Sequence, residues 1–229
     1  MAREADGVLY TRAGPEIGVA ATKTYLTQIV ALELVALVLA QARETRSRTE
    51  IGALMDQMLR LPGQIAEALD RTKDVAEVAR DLVDARDFFF LGRHVGHPVA
   101  LEGALKAKEI AYVRAEGYPA GELKHGPIAL IEPGTVVVGV ATRNCLWEKM
   151  CSNIEEVRSR GATIVLVGSD GDDRVAELAD HMLWVPPVEP MLSPVIDAVP
   201  LQFLAYWLAQ ARGHDVDRPR NLAKTVTVE

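Results

Sequence analysis

Residues 87–118 read DFFFLGRHVGHPVALEGALKAKEIAYVRAEGY, and this stretch decides the fold. A continuous apolar run at residues 88–91 is followed by a glycine-containing turn and then by apolar residues at helical spacing over residues 98–114. Continuous apolar runs are typical of parallel strands that are covered on both faces. Because such runs recur at residues 135–141, 163–168 and 182–185, the sequence predicts an α/β domain with a doubly wound parallel sheet.

Weaker patterns complete the predicted domain and its flanks. A further short strand is predicted at residues 115–118, and the remaining helices of the domain at residues 146–160, 174–178 and 193–211. Upstream, the sequence predicts a helical segment with helices at residues 20–43, 48–59 and 73–85, a break at Pro62-Gly63, and a short strand at residues 8–11. Residues 213–229 are polar and lack a helical period, so we expect an extended tail that docks on the rest.

The composition excludes several classes of protein. A chain of 229 residues with 49% hydrophobic content can bury a core, and its net charge of −7 with scattered basic residues argues against nucleic-acid binding. The longest apolar run, residues 29–40, contains Glu33 and is shorter than the roughly 20 residues of a membrane span. We therefore expect a buried helix and no membrane contact. The charged residues 1–7 do not resemble a signal peptide, which favours the cytoplasm.

Metal and disulfide chemistry are not indicated. Cys145 and Cys151 lie six residues apart within one predicted helix, without the spacing of a metal site and without cysteine partners elsewhere. We expect both thiols to be reduced and structural, and no metal to be bound.

The helix predicted at residues 98–114 has two different faces. Four alanines share one face, which suits close packing on a sheet, and Glu102, Lys106 and Glu109 share the other. On helical spacing alone, these three charges form a solvated face with ion pairs. The loop at residues 92–96 enters the helix at its anion-attracting amino terminus, but it lacks the hydroxyl side chains of a sugar-phosphate cradle. It is therefore not expected to be the main phosphate site.

Two further residues suit proton transfer or nucleophilic attack, although each has an ordinary explanation. His125 lies between a lysine and a Gly-Pro turn, where a histidine is commonly solvated but can also move a proton near neutral pH. Lys224 lies in the polar tail, where a lysine is ordinarily a solvated charge. Its amine could attack a carbonyl only if it were desolvated and neutral.

Four motifs taken together resemble one known family. They are AGPEIGVAATK (residues 13–23), ALEGALKAKEI (residues 100–110), GELKHGP (residues 121–127) and PRNLAKTVTVE (residues 219–229). Their order and identity resemble the isomerase part of the glutamine-dependent fructose-6-phosphate aminotransferases, or glucosamine-6-phosphate synthases. In that family two sugar-isomerase (SIS) domains, each a flavodoxin-like three-layer α/β/α fold, follow a glutaminase domain. The resemblance implies that residues 1–85 end the first SIS domain, residues 86–212 form the second, and residues 213–229 close over the active site.

The resemblance also implies roles for individual residues. Lys224 is implied to form a Schiff base with fructose 6-phosphate, Glu109 to move a proton between C1 and C2, and His125 to assist ring opening in the neighbouring subunit of a homodimer. Residues implied to contact the sugar or to close over it are Val19, Ala20, Ala21, Glu102, Lys106 and Ala223. Ala21 stands where many family members carry serine, so one hydroxyl contact is absent. No cofactor is implied.

The implied reaction makes glucosamine 6-phosphate from fructose 6-phosphate and glutamine-derived ammonia, the first step of the hexosamine (UDP-GlcNAc) pathway. The glutaminase domain and the hydroxyl-rich loops of the first SIS domain have no counterpart in this sequence, so the fragment by itself is expected to be inactive. Two alternatives stay open. A stand-alone SIS phosphosugar isomerase or deglycase would need a phosphate cradle within the chain, and a non-catalytic sugar-phosphate-binding module would leave Lys224 and Glu109 without a role.

Overall fold

The computed structural model describes residues 2–225, and its centre is a parallel sheet of five strands. The strands are β1 (Asp87–Gly92), β2 (Arg114–Pro119), β3 (Val136–Val140), β4 (Thr163–Ser169) and β5 (His181–Val185), in the spatial order β2-β1-β3-β4-β5. This confirms the predicted doubly wound sheet and all five of its strands. The chain reverses direction across the sheet between β1 and β3, where α/β proteins commonly bind ligands.

Helices cover the sheet on both faces. They are α1 (Lys23–Ala42), α2 (Arg48–Met58), α3 (Leu61–Asp70), α4 (Thr72–Asp81), α5 (Gly96–Lys106), α6 (Trp147–Arg158), α7 (Asp173–Leu178) and α8 (Ser193–Ala211). A π-helical turn, Ala107–Ala111, continues α5, and two 3₁₀ helices, Ala120–His125 and Pro127–Leu130, follow β2. Together with the sheet, these helices form the predicted three-layer α/β/α arrangement.

The two faces of the sheet have separate cores because side chains alternate along each strand. Phe88 and Phe90 of β1 pack with α4, α5 and α8, whereas Phe89 and Leu91 pack with α6, α7 and the first 3₁₀ helix. The small face of α5 is buried as predicted. In β3, a Cβ atom on Gly139 would lie 2.7 Å from a Leu166 methyl group, so a larger residue there would require that side chain to shift. The face covered by α4, α5 and α8 is called the α8 face, and the face covered by α6, α7 and the first 3₁₀ helix is called the α6 face.

Three predicted elements differ from the structure. Residues 8–11 do not form a strand and are exposed, because no strand of the sheet reaches them to supply hydrogen bonds. Pro62-Gly63 is helical and not a loop. Pro62 lies in the first turn of α3, where its missing N–H costs nothing. The helix predicted at residues 98–114 loses α-geometry after Lys106, forms the π turn, and ends at Tyr112 in the left-handed region with φ +54°.

The prediction that residues 29–40 form a buried helix is wrong for most of α1. Only one side of α1 packs on the rest of the chain, and it holds Glu33 and Leu37; the opposite side is exposed, with Leu32 at 69%. Within residues 2–225, α1 is the helix that is long and apolar enough to cross a membrane by length and composition.

The carboxy-terminal tail and the cysteines complete the description. Residues 213–225 contain turns and bends but no helix or strand, as predicted, and residues 226–229 lie outside the described residues. Cys151 is buried in α6, whereas Cys145 is exposed and precedes that helix; both are free thiols.

Candidate functional site

The segments before α1 and after α8, residues 2–22 and 213–225, contain no helix or strand, and we call them the flanks. A cavity of about 360 Å³ lies where the two flanks meet the α8 face. Residues 15–23 form one wall, Val216 and Asp217 of the tail form another, and α8 contributes Gln202 and Tyr206. Lys106 and Ile110, at the end of α5 and in the π turn, complete the lining. The cavity therefore brings together segments from opposite ends of the sequence.

A buried lysine at this cavity is held by two carboxylates. The side chain of Lys106 is almost fully buried, and its Nζ lies 2.5 Å from Glu109 Oε2 and 3.5 Å from Glu102 Oε1. A buried ammonium group is costly unless it is paired, and these two glutamates supply the pairing. The burial contradicts the prediction of a solvated charged face on this helix. The π turn that carries Glu109 is a rare geometry that is frequent at functional sites.

Burial changes the acidity of the groups around Lys106. Desolvation raises the pKa of Glu102, and the nearby Lys106 charge only partly offsets it. Burial, together with the negative charge of Glu102, raises the pKa of Tyr25 on α1 to about 12. The phenol of Tyr25 is therefore neutral at physiological pH, and Glu102 holds a proton more readily than a solvated glutamate.

The second ion pair at the cavity joins the two flanks. Lys224 Nζ lies 2.6 Å from Glu16 Oε2 and 3.5 Å from the carbonyl oxygen of Val19. The Glu16 carboxylate also accepts hydrogen bonds from the Thr22 N–H at 2.9 Å and the Thr24 hydroxyl at 2.6 Å. Desolvation raises the pKa of Glu16, but the bonds from Lys224 and Thr24 outweigh it and hold the pKa at about 2. Glu16 is therefore an anion throughout the physiological range.

Sequence reasoning did not assign a role to Glu16. The residue stands within the motif at residues 13–23, which is the one signal that could have singled it out. No periodicity connects it with Lys224, because 208 residues separate the two.

The predicted sugar-contacting residues on the flanks lie at or beside the cavity. Ala20 lines it, and the N–H of Val19 donates a hydrogen bond to the carbonyl oxygen of Asp217 at 3.2 Å. Ala21 is half-buried next to them, and Ala223 is exposed beside Lys224. All of the predicted site residues except one therefore lie around this cavity or on the segments that build it.

His125 is the exception. It ends the first 3₁₀ helix, its side chain is 75% exposed, and its Nε2 lies 3.7 Å from a Glu122 carboxylate oxygen. The preceding Lys124 pairs with Glu156 of α6 at 2.7 Å. This helix packs on the α6 face, so the sheet separates His125 from Glu109 within one chain. Its action in a neighbouring subunit stays a prediction.

The loop after β1 is occupied by structural bonds. Arg93 Nε donates to Asn153 Oδ1 of α6 at 2.8 Å, and its guanidinium lies against Gly121. Through these contacts, Arg93 joins α6 to the first 3₁₀ helix. Among residues 2–225, no cluster of three or more His, Cys, Asp or Glu side chains is arranged to hold a metal ion.

Comparisons with known proteins place these features in context. The SIS domain model matches residues 81–212. Over its full length the chain is 51% identical to the glutamine–fructose-6-phosphate aminotransferase [isomerizing] of Thermus thermophilus, and over 99% of its length it is 52% identical to that of Streptomyces coelicolor. It spans 38% of each of those proteins.

A solved structure agrees with this similarity. The C-terminal domain of glucosamine-fructose-6-phosphate aminotransferase from Francisella tularensis matches with a TM-score of 0.89 and 36% identity. The match covers 95% of this chain and 61% of that one. The chain therefore resembles part of a longer protein in both sequence and fold.

Proposed function

Because the chain belongs to the SIS domain family, we propose that it is the carboxy-terminal isomerase part of a glutamine-dependent fructose-6-phosphate aminotransferase. The observation that carries the proposal is one cavity whose lining includes Lys106 and Glu16, each of which belongs to a lysine–glutamate pair. Lys106 is bonded to Glu109 on one wall, and Glu16 is bonded to Lys224 on another. The substrates are fructose 6-phosphate and ammonia released from glutamine, and the product is glucosamine 6-phosphate.

Lys224 is the covalent residue in this proposal. Its amine, once neutral, adds to C2 of the open-chain sugar, and the carbonyl oxygen leaves as water to give an imine. Ammonia then displaces the lysine at C2. Glu16 positions the amine instead of deprotonating it, since a carboxylate whose pKa is about 2 is a weak base. Approach of the sugar must therefore draw Lys224 away from Glu16.

Glu109 is the residue that moves a proton from C1 to C2. The short hydrogen bond from buried Lys106 fixes the orientation of its carboxylate, and a fixed base needs no reorganisation when the proton moves. Glu102, at 3.5 Å, is the second carboxylate that faces the Lys106 ammonium group. The pair Lys106–Glu109 thus provides an oriented base on a rigid helix end.

A homodimer is part of the same proposal. His125 is exposed and lies on the α6 face, away from Glu109, so we place it at the site of the partner chain. Sedimentation velocity should show a dimer. A strict monomer would remove His125 from every active site and would contradict this element of the proposal.

The domain division is supported by the unpaired side of α1. Leu32, Val35, Val38 and Leu39 are exposed there, although the helix is as apolar as a membrane span. We propose that this side packs on the first SIS domain, of which residues 1–85 are the end. The relatives are long enough to contain such a domain, since the chain spans 38% of their length. In the same proposal, the protein acts in the cytoplasm without membrane contact.

The competing function is a stand-alone phosphosugar isomerase. That reaction would need a phosphate cradle within the chain, and the loop after β1 instead ties Arg93 to Asn153. A binding module without catalysis would not require a lysine–glutamate pair at each of two walls of one cavity.

Imine trapping in the full-length enzyme tests the proposal. Fructose 6-phosphate and borohydride should attach a reduced sugar phosphate to Lys224, as shown by peptide mass spectrometry. Lys23 is the matched control, because it also lines the cavity but its Nζ is bonded to the Pro15 carbonyl oxygen at 2.7 Å. Label on Lys23, or substrate binding without any label, would overturn the assignment.

A further inference from the structure

Tyr112 stands at the junction between the two halves of the site. It directly follows the π turn that carries Glu109, and its backbone has φ +54°, a conformation that is uncommon for residues other than glycine. The next residue, Val113, is buried, and β2 begins at Arg114. Uncommon backbone conformations persist where the surrounding contacts fix them and often mark functional sites.

The side chain of Tyr112 binds the carboxy-terminal tail through two different kinds of contact. Its hydroxyl accepts a hydrogen bond from the backbone N–H of Arg220 at 2.8 Å. Its ring lies 4.2 Å from the guanidinium carbon of Arg220 and 4.6 Å from the ring of His214. The same tyrosine therefore holds the backbone of the tail and two of its side chains.

A second bond fixes the same junction from the side of α8. Arg212, which follows the last residue of α8, donates from Nη1 to the carbonyl oxygen of Ala111 at 3.2 Å. The tail thus leaves α8 beside the end of the π turn and returns to Tyr112 at Arg220. The tail itself is largely exposed, so these contacts have a large share in placing it.

The tail then reaches the cavity within a few residues. Asp217 bonds to the N–H of Val19, and Lys224 reaches Glu16. Lys224 follows Arg220 by four residues, which span at most about 14 Å when fully extended. Fixing Arg220 on Tyr112 therefore confines the Lys224 amine to a small volume around the cavity, which raises its effective concentration toward a bound sugar.

We propose that Tyr112 is a positioning residue that couples the helix carrying Glu109 to the tail carrying Lys224, so that base and amine meet the same sugar. The roles of Glu109 and Lys224 rest on the proposed function, whereas the coupling itself rests on the contacts of Tyr112. Tyr112 touches the tail and not the reacting atoms. Its loss should slow imine formation and the chemical step while leaving the affinity for sugar largely unchanged.

The contacts can be separated by substitution in the full-length enzyme. Tyr112→Phe removes the hydroxyl bond and keeps the ring, and Arg220→Ala removes the guanidinium and keeps the backbone bond. Each should slow the trapping of the Lys224 imine by about 2- to 10-fold, the effect of one hydrogen bond or one cation–π contact. Tyr112→Leu removes both contacts and should slow it by about 10- to 100-fold, since the two effects combine.

Two readouts distinguish positioning from general destabilisation. Hydrogen exchange should increase in residues 213–225 and not in β1 or β3, and kcat should fall while KM changes by less than about 3-fold. The double variant Tyr112→Leu with Arg220→Ala should be no slower than Tyr112→Leu alone, because the guanidinium no longer has a ring to bind. If Tyr112→Leu does not fold, the Tyr112→Phe and Arg220→Ala variants alone test the coupling.

Unchanged exchange in the tail together with an unchanged imine rate in Tyr112→Phe and Arg220→Ala would overturn the coupling. Fully additive effects in the double variant would also overturn it. An absence of imine in the unsubstituted enzyme would contradict the proposed function instead, and tail exchange would then still test the coupling.

Discussion

The doubly wound domain and the two flanks that meet on it are built by different interactions. In the domain, residues 86–212, strands and helices bury nearly all of their apolar side chains. The flanks, residues 2–22 and 213–225, have no helix or strand and are mostly exposed. A few polar bonds place them, chiefly those of Glu16, Lys224 and Tyr112.

This contrast suggests how the site divides its tasks. The domain holds Glu109 through buried Lys106, which suits the oriented base that we propose it to be. The flank holds Lys224 by a partly exposed ion pair, which suits the movable nucleophile that we propose it to be. Changes in the two regions should therefore have different consequences.

The largest effect should come from removing the proposed glutaminase domain and first SIS domain of the full-length enzyme, which belong to neither region. We expect the 229-residue chain alone to make no measurable glucosamine 6-phosphate, with glutamine or with ammonia. Anchoring the sugar's phosphate can supply roughly 7 to 11 kcal/mol of the barrier through orientation, and the proposed cradle belongs to the first SIS domain. A coupled assay at high ammonia, with calorimetry for fructose 6-phosphate, checks this. Turnover near that of a full-length synthase would show that the two regions suffice.

In the domain, Glu109→Gln in the full-length enzyme should lower kcat by about 10²- to 10⁴-fold, because it removes the base but keeps its size and hydrogen bonding. KM should change only a few-fold. Lys108→Gln is the matched control, since it alters an exposed charge in the same π turn. Near-normal turnover of Glu109→Gln would show that this glutamate is not the base.

In the flanks, Glu16→Gln should slow imine formation by about 10-fold, the lower end for a charge-assisted hydrogen bond, since Lys224 is partly exposed. The pKa of Glu16 is lowered on folding, so its stabilising effect is complete above pH 4.5 and is lost as the pH falls towards 2. Protection of the tail amides, measured relative to their intrinsic exchange rates, should therefore fall as the pH is lowered over that interval in the wild-type protein. If the tail of the Glu16→Gln variant showed the same pH dependence, the role of this carboxylate would be contradicted.

The smallest expected effect concerns α1, which belongs to neither region. Glu33 is only 8% exposed there and has no hydrogen-bond partner among the described residues, and desolvation raises its pKa to about 7. Its charge therefore costs no stability below pH 4.5 and the full amount above pH 7. Glu33→Leu should stabilise the chain by about 2 kcal/mol at pH 8 and by much less at pH 4.

Urea unfolding at the two pH values measures this difference. Gln28→Leu, at an exposed position of the same helix, is the matched control and should have an effect that does not depend on pH. Equal stabilisation by Glu33→Leu at both pH values would show that the charge of Glu33 is not the cause.

The sequence predicted the domain well because periodicity and continuous apolar runs determine buried elements. All five strands and α8 follow from these patterns. The π turn could not be predicted, since the spacing of Ala104, Ala107 and Ala111 fits an ordinary helix equally well. The helix α3 was missed because Pro62 can either end one helix or begin another.

The site could be predicted only in part. The resemblance supplied Glu109 and Lys224, but spacing gave no information about the burial of Lys106, which depends on how the flanks cover α5. The pairing of Glu16 with Lys224 joins residues at opposite ends of the chain, and the docking of Arg220 on Tyr112 is equally non-local. Such contacts depend on the tertiary fold and not on a local pattern.

A crystal structure of the full-length enzyme with glucosamine 6-phosphate would test the central claim most directly. The account predicts that C1 and C2 of the sugar lie between the Glu109 carboxylate and the Lys224 amine in the cavity shared by domain and flanks. The phosphate should be bound by the first SIS domain. A sugar bound instead at the loop of residues 92–96, with Lys224 still paired to Glu16, would contradict it.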